Sequence, residues 1–214
     1  MHFSLQMTAD RSVVRESLKV LWTIFFHRLF GPIVPTSHEF LEISYPMAEG
    51  LPELDGMMDE KINELVQSLK PEPSSRLPAI VVSFLDKDPF KSKKKSGWFG
   101  QTKSHEDLKL WEQWTISVNC VFNGRDSSNT KPLAMMEPQD LKVSTQSFES
   151  TLTKIIDYVD SNKHHIPPIT SLESCPFPYS IEVWPDGDQG PTDPHHSPNH
   201  PDDTWGNYIK KMLD

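Results

Sequence analysis

Hydrophobic and polar positions alternate at the start of the chain and then change to a helical spacing. Phe3, Leu5 and Met7 are separated by polar residues, which predicts a short, half-buried strand. A helix of about twenty residues follows, with Asp10 as its N-cap and Gly31 at its stop. One face of this helix consists of Val14, Leu18, Leu21, Phe25 and Leu29. Its second half is apolar nearly all round, so we expect it to be the buried central helix of the domain.

Four more elements follow from the spacing of apolar residues. Alternation predicts a strand over residues 40–45, and an apolar stripe predicts a helix over residues 54–69. Residues 79–85 form a nearly continuous apolar run, which is typical of a strand inside a sheet. Alternation is clearest over residues 111–122, where we expect the most regular strand of the chain.

A third helix, a last strand and two C-terminal segments complete the chain. Apolar spacing predicts a helix over residues 144–162, and alternation predicts a strand over residues 179–184. Residues 185–203 are rich in proline and poor in apolar side chains, which predicts disorder. Residues 204–214 are spaced as a short amphipathic helix that would dock on the domain or on a partner. The order of elements predicts an α+β domain over residues 1–184, with one sheet backed by helices.

Composition and charge narrow the classes of function. The chain has 214 residues, which suits one domain, and a net charge of -9. This balance argues against nucleic acid as the main partner, because phosphate binding needs a basic surface. The longest apolar stretch, residues 20–26, is too short for a bilayer, which requires about 20 apolar residues. Cys120 and Cys175 are expected to be free thiols, Cys120 as a small buried hydrophobe. We therefore expect a soluble, cytoplasmic protein.

The connection between the two clearest strands, residues 86–110, has an uneven composition. It carries a basic run followed by two aromatic residues between glycines: Lys91, Lys93, Lys94, Lys95, Trp98 and Phe99. Loops longer than about 12–15 residues are usually functional or disordered. The flanking glycines favour a projecting turn, and two exposed aromatic side chains offer a large apolar surface to a partner. We therefore predict that Trp98 and Phe99 recruit a partner, with the four lysines as an accessory basic patch.

The chemistry of this loop leaves three alternatives open for what covers Trp98 and Phe99. The loop can fold back, so that Trp98 fills a gap in the core. A hydrophobic pocket on another protein can cover the pair, since Trp is a frequent binding hot spot. A membrane surface can also cover it, because lysines meet anionic headgroups while aromatic side chains sit at the interface.

Three segments of the chain resemble one protein family. They read ESLKVLWTIFFHR, KKKSGWFG followed by WEQWTISVNC, and the closing WGNYIKKMLD. Their order and spacing are similar to those of the family of autophagy-related protein one-hundred-and-one, the HORMA-domain subunit of the autophagy-initiation kinase complex. The resemblance implies a HORMA-like α+β fold, with one mainly antiparallel sheet, three main helices and a projecting aromatic loop.

The same resemblance implies a function and partners. It implies a heterodimer with the HORMA domain of autophagy-related protein thirteen, which the chain would bind and stabilise. The projecting loop, called the WF finger in this family, would recruit downstream autophagy factors through Trp98 and Phe99. The expected location is the cytoplasm and the phagophore assembly site.

Histidines in the tail are the remaining candidates for metal chemistry. His195, His196 and His200 lie among aspartates in the predicted disordered segment, which lacks the fixed geometry that a specific metal site needs. The chain contains no nucleotide-binding or hydrolase motif. We therefore expect no metal, no cofactor and no enzymatic activity.

Two pairs of basic residues stand at predicted helix ends. His164 and His165 follow the third long helix, and His27 and Arg28 lie near the end of the first. Positive charge at a helix C-terminus interacts favourably with the helix dipole and the last carbonyl groups. We expect both pairs to cap their helices.

Overall fold

Strands and helices alternate along the part of the chain that the computed structural model describes, residues 1–71, 76–87, 108–122, 136–169 and 176–185. In chain order they are β1 (His2–Asp10), α1 (Val14–Ser17), a 3₁₀ turn (Leu18–Val20), α2 (Leu21–Arg28), β2 (Val34–Phe40), β3 (Ile43–Glu49), α3 (Pro52–Ser68), β4 (Ala79–Lys87), β5 (Leu108–Val121), α4 (Pro138–Ser161) and β6 (Tyr179–Trp184). Of the predicted segments 185–203 and 204–214, residues 186–214 lie outside the described residues.

The main sheet has the strand order β1-β5-β4-β6. β1 is parallel to β5, whereas β4 is antiparallel to both β5 and β6, so the sheet is mainly antiparallel. β4 lies inside the sheet, which confirms the prediction from its continuous apolar run. The helices pack with the inward side chains of the strands in one core. The fold is therefore α+β and HORMA-like, with the sheet backed by the helical segment 14–28, α3 and α4.

The first helical segment is buried as predicted but is not one continuous helix. It consists of α1, the 3₁₀ turn and α2, and its predicted face is buried throughout. Asp10 is not its N-cap. The Asp10 carboxylate accepts the Ser12 N–H at 2.8 Å, and the Asp10 carbonyl accepts the Val13 N–H at 3.0 Å. Asp10 therefore shapes the turn that precedes the helix. Phe25 lies at the centre of the core, with its ring 5.5 Å from Phe84.

The predicted strand over residues 40–45 is wrong, because a hairpin turn falls in the middle of it. β2 and β3 form a separate two-stranded ribbon, closed by Leu41 and Glu42 between the paired residues Phe40 and Ile43. Leu41 and Glu42 both have positive φ, 45° and 70°, as a two-residue hairpin turn requires.

Prolines occupy the ribbon at positions that need no ladder hydrogen bond. Because Phe40 and Ile43 close the turn, hydrogen-bonded and non-bonded pairs alternate from there along the ribbon. Pro46 opposite Ser37 and Pro35 opposite Ala48 both fall on non-bonded pairs. Each proline therefore faces an outer edge of the ribbon, where its missing N–H breaks no bond and limits further strand pairing.

Helix α4 covers part of the outer edge of β1. The Ser147 hydroxyl accepts the Thr8 N–H at 2.7 Å, and the Ser144 hydroxyl accepts the Asp10 N–H at 3.0 Å. α4 begins at Pro138, earlier than the predicted residue 144, which brings Ser144 into its first turns. None of the helices within the described ranges has the length and apolar composition that crossing a membrane requires.

Candidate functional site at the base of the β4–β5 connection

The predicted recruiting residues Trp98 and Phe99 lie outside the described residues, as do Lys91, Lys93, Lys94 and Lys95. The two ends of their connection are described. The pairing of β4 with β5 continues to Lys87 opposite Leu108, so the connection 88–107 leaves and returns at neighbouring positions. The described part of the candidate site lies where the connection leaves the sheet, and we call its residues the connection base: Phe84, Trp111, Glu112, His165 and Phe177.

A β-bulge shapes the start of β5. Phe84 pairs with Glu112 and Leu85 pairs with Leu110, so Trp111 has no partner in the ladder. Trp111 and Glu112 are consecutive, yet both are buried, whereas Leu110 is exposed. In a regular strand two consecutive side chains point to opposite faces. The extra residue therefore turns Trp111 inward beside Glu112, as bulges commonly do next to functional sites.

Glu112 is the centre of a buried cluster of polar side chains. Its carboxylate is fully buried and Arg28 is 3% exposed. Arg28 Nε donates to Glu112 Oε1 at 2.8 Å, and Trp114 Nε1 donates to the same oxygen at 2.5 Å. His165 Nε2 lies 2.6 Å from Oε2 and acts as a donor, because an ionised carboxylate only accepts. Arg28 also reaches the carbonyl of Asn162 at 3.4 Å.

This cluster joins three separate parts of the fold. Arg28 ends α2, Glu112 belongs to β5, and His165 follows α4. Removing two charges from water costs several kcal/mol for each ion, which their attraction offsets only with good geometry. Breaking such a pair is more damaging than its net contribution suggests, since it leaves a buried charge without a partner. The cluster therefore favours one arrangement of the three parts over its alternatives.

Aromatic rings surround the cluster. The Trp111 ring centroid is 5.0 Å from Phe177, 5.8 Å from Phe84 and 5.7 Å from His165. Phe3 packs on Trp114 at 4.4 Å. The connection base is thus a dense aromatic layer with one buried ion pair inside it.

Three exposed apolar side chains lie around this layer. Leu110, 45% exposed, immediately precedes Trp111. Met1, 48% exposed, donates through its nitrogen to the Trp111 carbonyl at 2.6 Å. Phe30, 37% exposed, contacts Phe177 and has a φ of 50°. A positive φ is uncommon for a bulky residue. The end of the sheet from which the connection leaves therefore offers apolar surface to solvent.

The capping expectation is wrong for His165 but not for Arg28, whose Nη1 donates to the His27 carbonyl in the last turn of α2 at 3.3 Å. Asn162 caps α4, because its backbone N–H and its side-chain amide both donate to the Tyr158 carbonyl at 3.0 Å. His165 instead donates to Glu112. Burial, and next the charge of Arg28, lower the pKa of His27 below its ordinary value, which disfavours the charged form that capping needs.

Cys120 fits its predicted role at the far end of β5. It is half-buried and packs against the core. Burial raises the pKa of its thiol to about 12. Because the thiolate is the reactive form, this shift disfavours reaction of the thiol near neutral pH. Cys175 lies outside the described residues, and so do His195, His196 and His200.

Glu112, at the centre of the cluster, is a residue that the sequence analysis did not single out, and Arg28 and His165 were expected only to cap helices. Glu112 stands in phase with Trp114, Ile116 and Val118 of the apolar face of β5. A carboxylate on the buried face of a strand requires a partner. That phase was the available signal, whereas the partner itself comes from a distant segment.

The fold and its connection base define a HORMA-like α+β domain with a long connection between its two central strands. A family model described as "Autophagy-related protein 101" matches residues 6–173. Among curated relatives, Autophagy-related protein 101 of Arabidopsis thaliana is 31% identical over 197 residues, covering 83% of this chain and 84% of the relative. Autophagy-related protein 101 of Schizosaccharomyces pombe is 24% identical over 195 residues, covering 91% of this chain and 84% of the relative. The chain belongs to the autophagy-related protein 101 family, and its role is in autophagy.

Proposed function

We propose that the chain is a non-enzymatic adaptor of the autophagy-initiation complex. It binds and stabilises a second HORMA-domain subunit, autophagy-related protein thirteen, as a heterodimer. Trp98 and Phe99 recruit downstream autophagy factors, with Lys91, Lys93, Lys94 and Lys95 as an accessory basic patch. The protein acts in the cytoplasm and at the phagophore assembly site. This proposal combines the family membership with the chemistry of the β4–β5 connection.

The pairing of Lys87 with Leu108 is the observation that carries the proposal. This pairing places the two ends of the connection side by side on neighbouring strands, as a projecting loop would require. The bulge at Trp111 and the buried cluster around Glu112 give this loop a rigid base. The exposed Met1, Phe30 and Leu110 supply apolar surface beside that base.

Alanine replacement of Trp98 and Phe99 together tests the recruiting role. The double variant and the wild type would be used as baits in cell extract, and the melting temperature of each would be measured. We expect equal melting temperatures and the loss of a subset of bound autophagy factors. Ile156→Ala, which removes an exposed apolar side chain from α4, is the matched control and should keep these factors. A much lower melting temperature for the double variant would instead assign the pair to the core.

Mixing the purified chain with the HORMA domain of autophagy-related protein thirteen tests the heterodimer. A partner that binds only the folded state raises its apparent stability by mass action. We therefore expect co-elution as a one-to-one complex and a melting temperature that rises with partner concentration. Separate elution at micromolar concentrations would contradict this part of the proposal. It would leave the role of Trp98 and Phe99 to be judged by the extract experiment.

A peripheral membrane role is the second candidate, and the four lysines beside Trp98 and Phe99 favour it. It predicts binding to vesicles that contain phosphatidylserine, weakened both by added salt and by Trp98→Ala. Absence of binding at low salt would eliminate direct membrane contact. Binding that requires autophagy-related protein thirteen would indicate contact within the assembly.

A further inference from the structure

The segment 162–169 follows α4 and reaches the connection base through His165, and its Ile166 packs against the core. None of its residues is fully buried. Two of its backbone N–H bonds are local, from Asn162 to the Tyr158 carbonyl and from Ile166 to the Lys163 carbonyl. Two of its side chains also bond to α4, the Asn162 amide to the Tyr158 carbonyl at 3.0 Å and Lys163 Nζ to Asp160 Oδ1 at 2.5 Å. Beyond α4, and within the described residues, its hydrogen bonds run through the Asn162 carbonyl, which accepts from Arg28 at 3.4 Å, and through His165 Nε2 at 2.6 Å. His165 makes the shorter bond, and its acceptor is charged.

Two kinds of interaction hold His165 in place, and only one of them depends strongly on direction. Its ring lies 5.7 Å from Trp111 and 6.3 Å from Phe3, contacts that tolerate sliding and rotation. Its Nε2–H points at one oxygen of Glu112, whose other oxygen is already bound by Arg28 and Trp114. Hydrogen bonds to ionised groups are roughly twice as strong as neutral ones. The single directional contact is therefore the hydrogen bond.

We propose that residues 162–169 form a strap over the connection base, and that the His165–Glu112 hydrogen bond is the pin that holds it. With the pin in place, Trp111 is covered and only 6% exposed. Release of the pin frees the strap while the sheet and α4 stay folded, and it uncovers Trp111 and the carboxylate of Glu112. His165 is thus a positioning residue, and the strap opens independently of the rest of the domain.

Two substitutions of His165 separate the hydrogen bond from ring packing. His165→Phe keeps an aromatic ring and removes the donor, whereas His165→Gln keeps a donor and removes the ring. The measurement is amide hydrogen exchange by NMR at Ile166, inside the strap, with Ile155 in the core of α4 as the reference for global opening. We expect exchange at Ile166 to be about tenfold faster in His165→Phe, close to wild type in His165→Gln, and unchanged at Ile155 in both variants.

Three results would overturn the proposal. Wild-type exchange at Ile166 in His165→Phe would show that ring packing holds the strap. Equally fast exchange in His165→Gln and His165→Phe would exclude the hydrogen bond as the pin. Faster exchange at Ile155 in step with Ile166 would show that His165 supports the whole domain. The wild-type protein supplies a further test, because the pin requires the proton of His165 on Nε2. A ring protonated only on Nδ1, recognised by its nitrogen chemical shifts, would contradict it.

Discussion

The two hairpins of this protein are closed in opposite ways. The ribbon β2–β3 turns within two residues, Leu41 and Glu42, whereas β4–β5 has the connection 88–107. In the short hairpin the constraint lies in the backbone, since both turn residues have positive φ. In the long hairpin it lies in side chains, namely the bulged Trp111 and the buried ions at Glu112.

This difference shows two sources of strand register. A two-residue turn sets the register through its own dihedral angles, at about 1–2 kcal/mol for each non-glycine residue in the left-handed region. A long connection places almost no restriction on the strand register, because the free energy of loop closure changes slowly with loop length. The register of β4 and β5 must then come from packing at and above the connection base. The two hairpins should therefore respond to different kinds of substitution.

Glu112→Gln is expected to have the largest effect, because it removes the charge that neutralises Arg28. The amide also places a donor opposite groups that are themselves donors. We expect a loss of about 3 kcal/mol in the free energy of unfolding, since breaking a buried ion pair costs about 3–5 kcal/mol. For a chain of this size that loss lowers the melting temperature by roughly 6–12 °C. Urea and thermal unfolding would measure both quantities.

Glu149→Gln is the matched control for this loss. Glu149 is an exposed residue of α4, so the same chemical change should alter the free energy of unfolding by less than about 0.5 kcal/mol. Equal effects of the two substitutions would mean that the buried cluster does not hold the base of the long hairpin. The long hairpin would then not be held by buried side chains, in contrast to what we infer from its comparison with the short hairpin.

Glu42→Gly is expected to have a smaller effect with the opposite sign. Glycine adopts the φ of 70° without the steric penalty that Glu42 bears, although it also loses more backbone entropy on folding. We expect a net gain of about 0.5–1 kcal/mol in the free energy of unfolding, measured by urea denaturation. Glu39→Gly, at an exposed strand position in β2, should instead destabilise by about 0.5–1 kcal/mol. Destabilisation by both would show that the short turn carries no relievable strain.

The short hairpin also shows where prediction from sequence fails. Two-residue turns usually contain Asn-Gly or a similar pair that can be recognised in the sequence. Leu41-Glu42 is not such a pair. Alternation continued through the turn, so residues 40–45 were predicted as one strand. Leu41 is partly buried and packs against the core, which offsets the strain of its backbone. Tertiary packing thus decided a conformation that local propensity opposes.

The main sheet was largely predictable, because its strands repeat one pattern over many residues. β4, β5 and β6 match the apolar run and the alternations of the sequence. The arrangement of the connection base was less predictable from the sequence. The phase of Glu112 with Trp114 signals a buried carboxylate, but neither Arg28 nor His165 is near it in sequence. Partners separated by 84 and 53 positions are brought together only by the fold.

Substitution of Cys120, which lies at the end of β5 far from the connection base, is expected to change the stability least. Cys120→Ala should alter the free energy of unfolding by less than about 1 kcal/mol, because it removes one half-buried sulfur. The pKa of the thiol rises from 9.0 to about 12, so its neutral form is favoured in the folded protein. Any stability from this shift is complete below pH 9.0 and declines as the pH rises towards about 12.

Alkylation of Cys120 tests whether a substitution at the connection base also exposes the far end of β5. In a Cys175→Ser background at pH 8, we expect iodoacetamide to react slowly with the folded protein and quickly in concentrated urea, since only the thiolate attacks. Adding Glu112→Gln at a temperature where the protein stays folded should leave this reaction slow if the damage is confined to the base. Rapid alkylation in that variant would show that β5 opens as a unit. The buried cluster would then determine the order of the whole strand as well as of the start of its long connection.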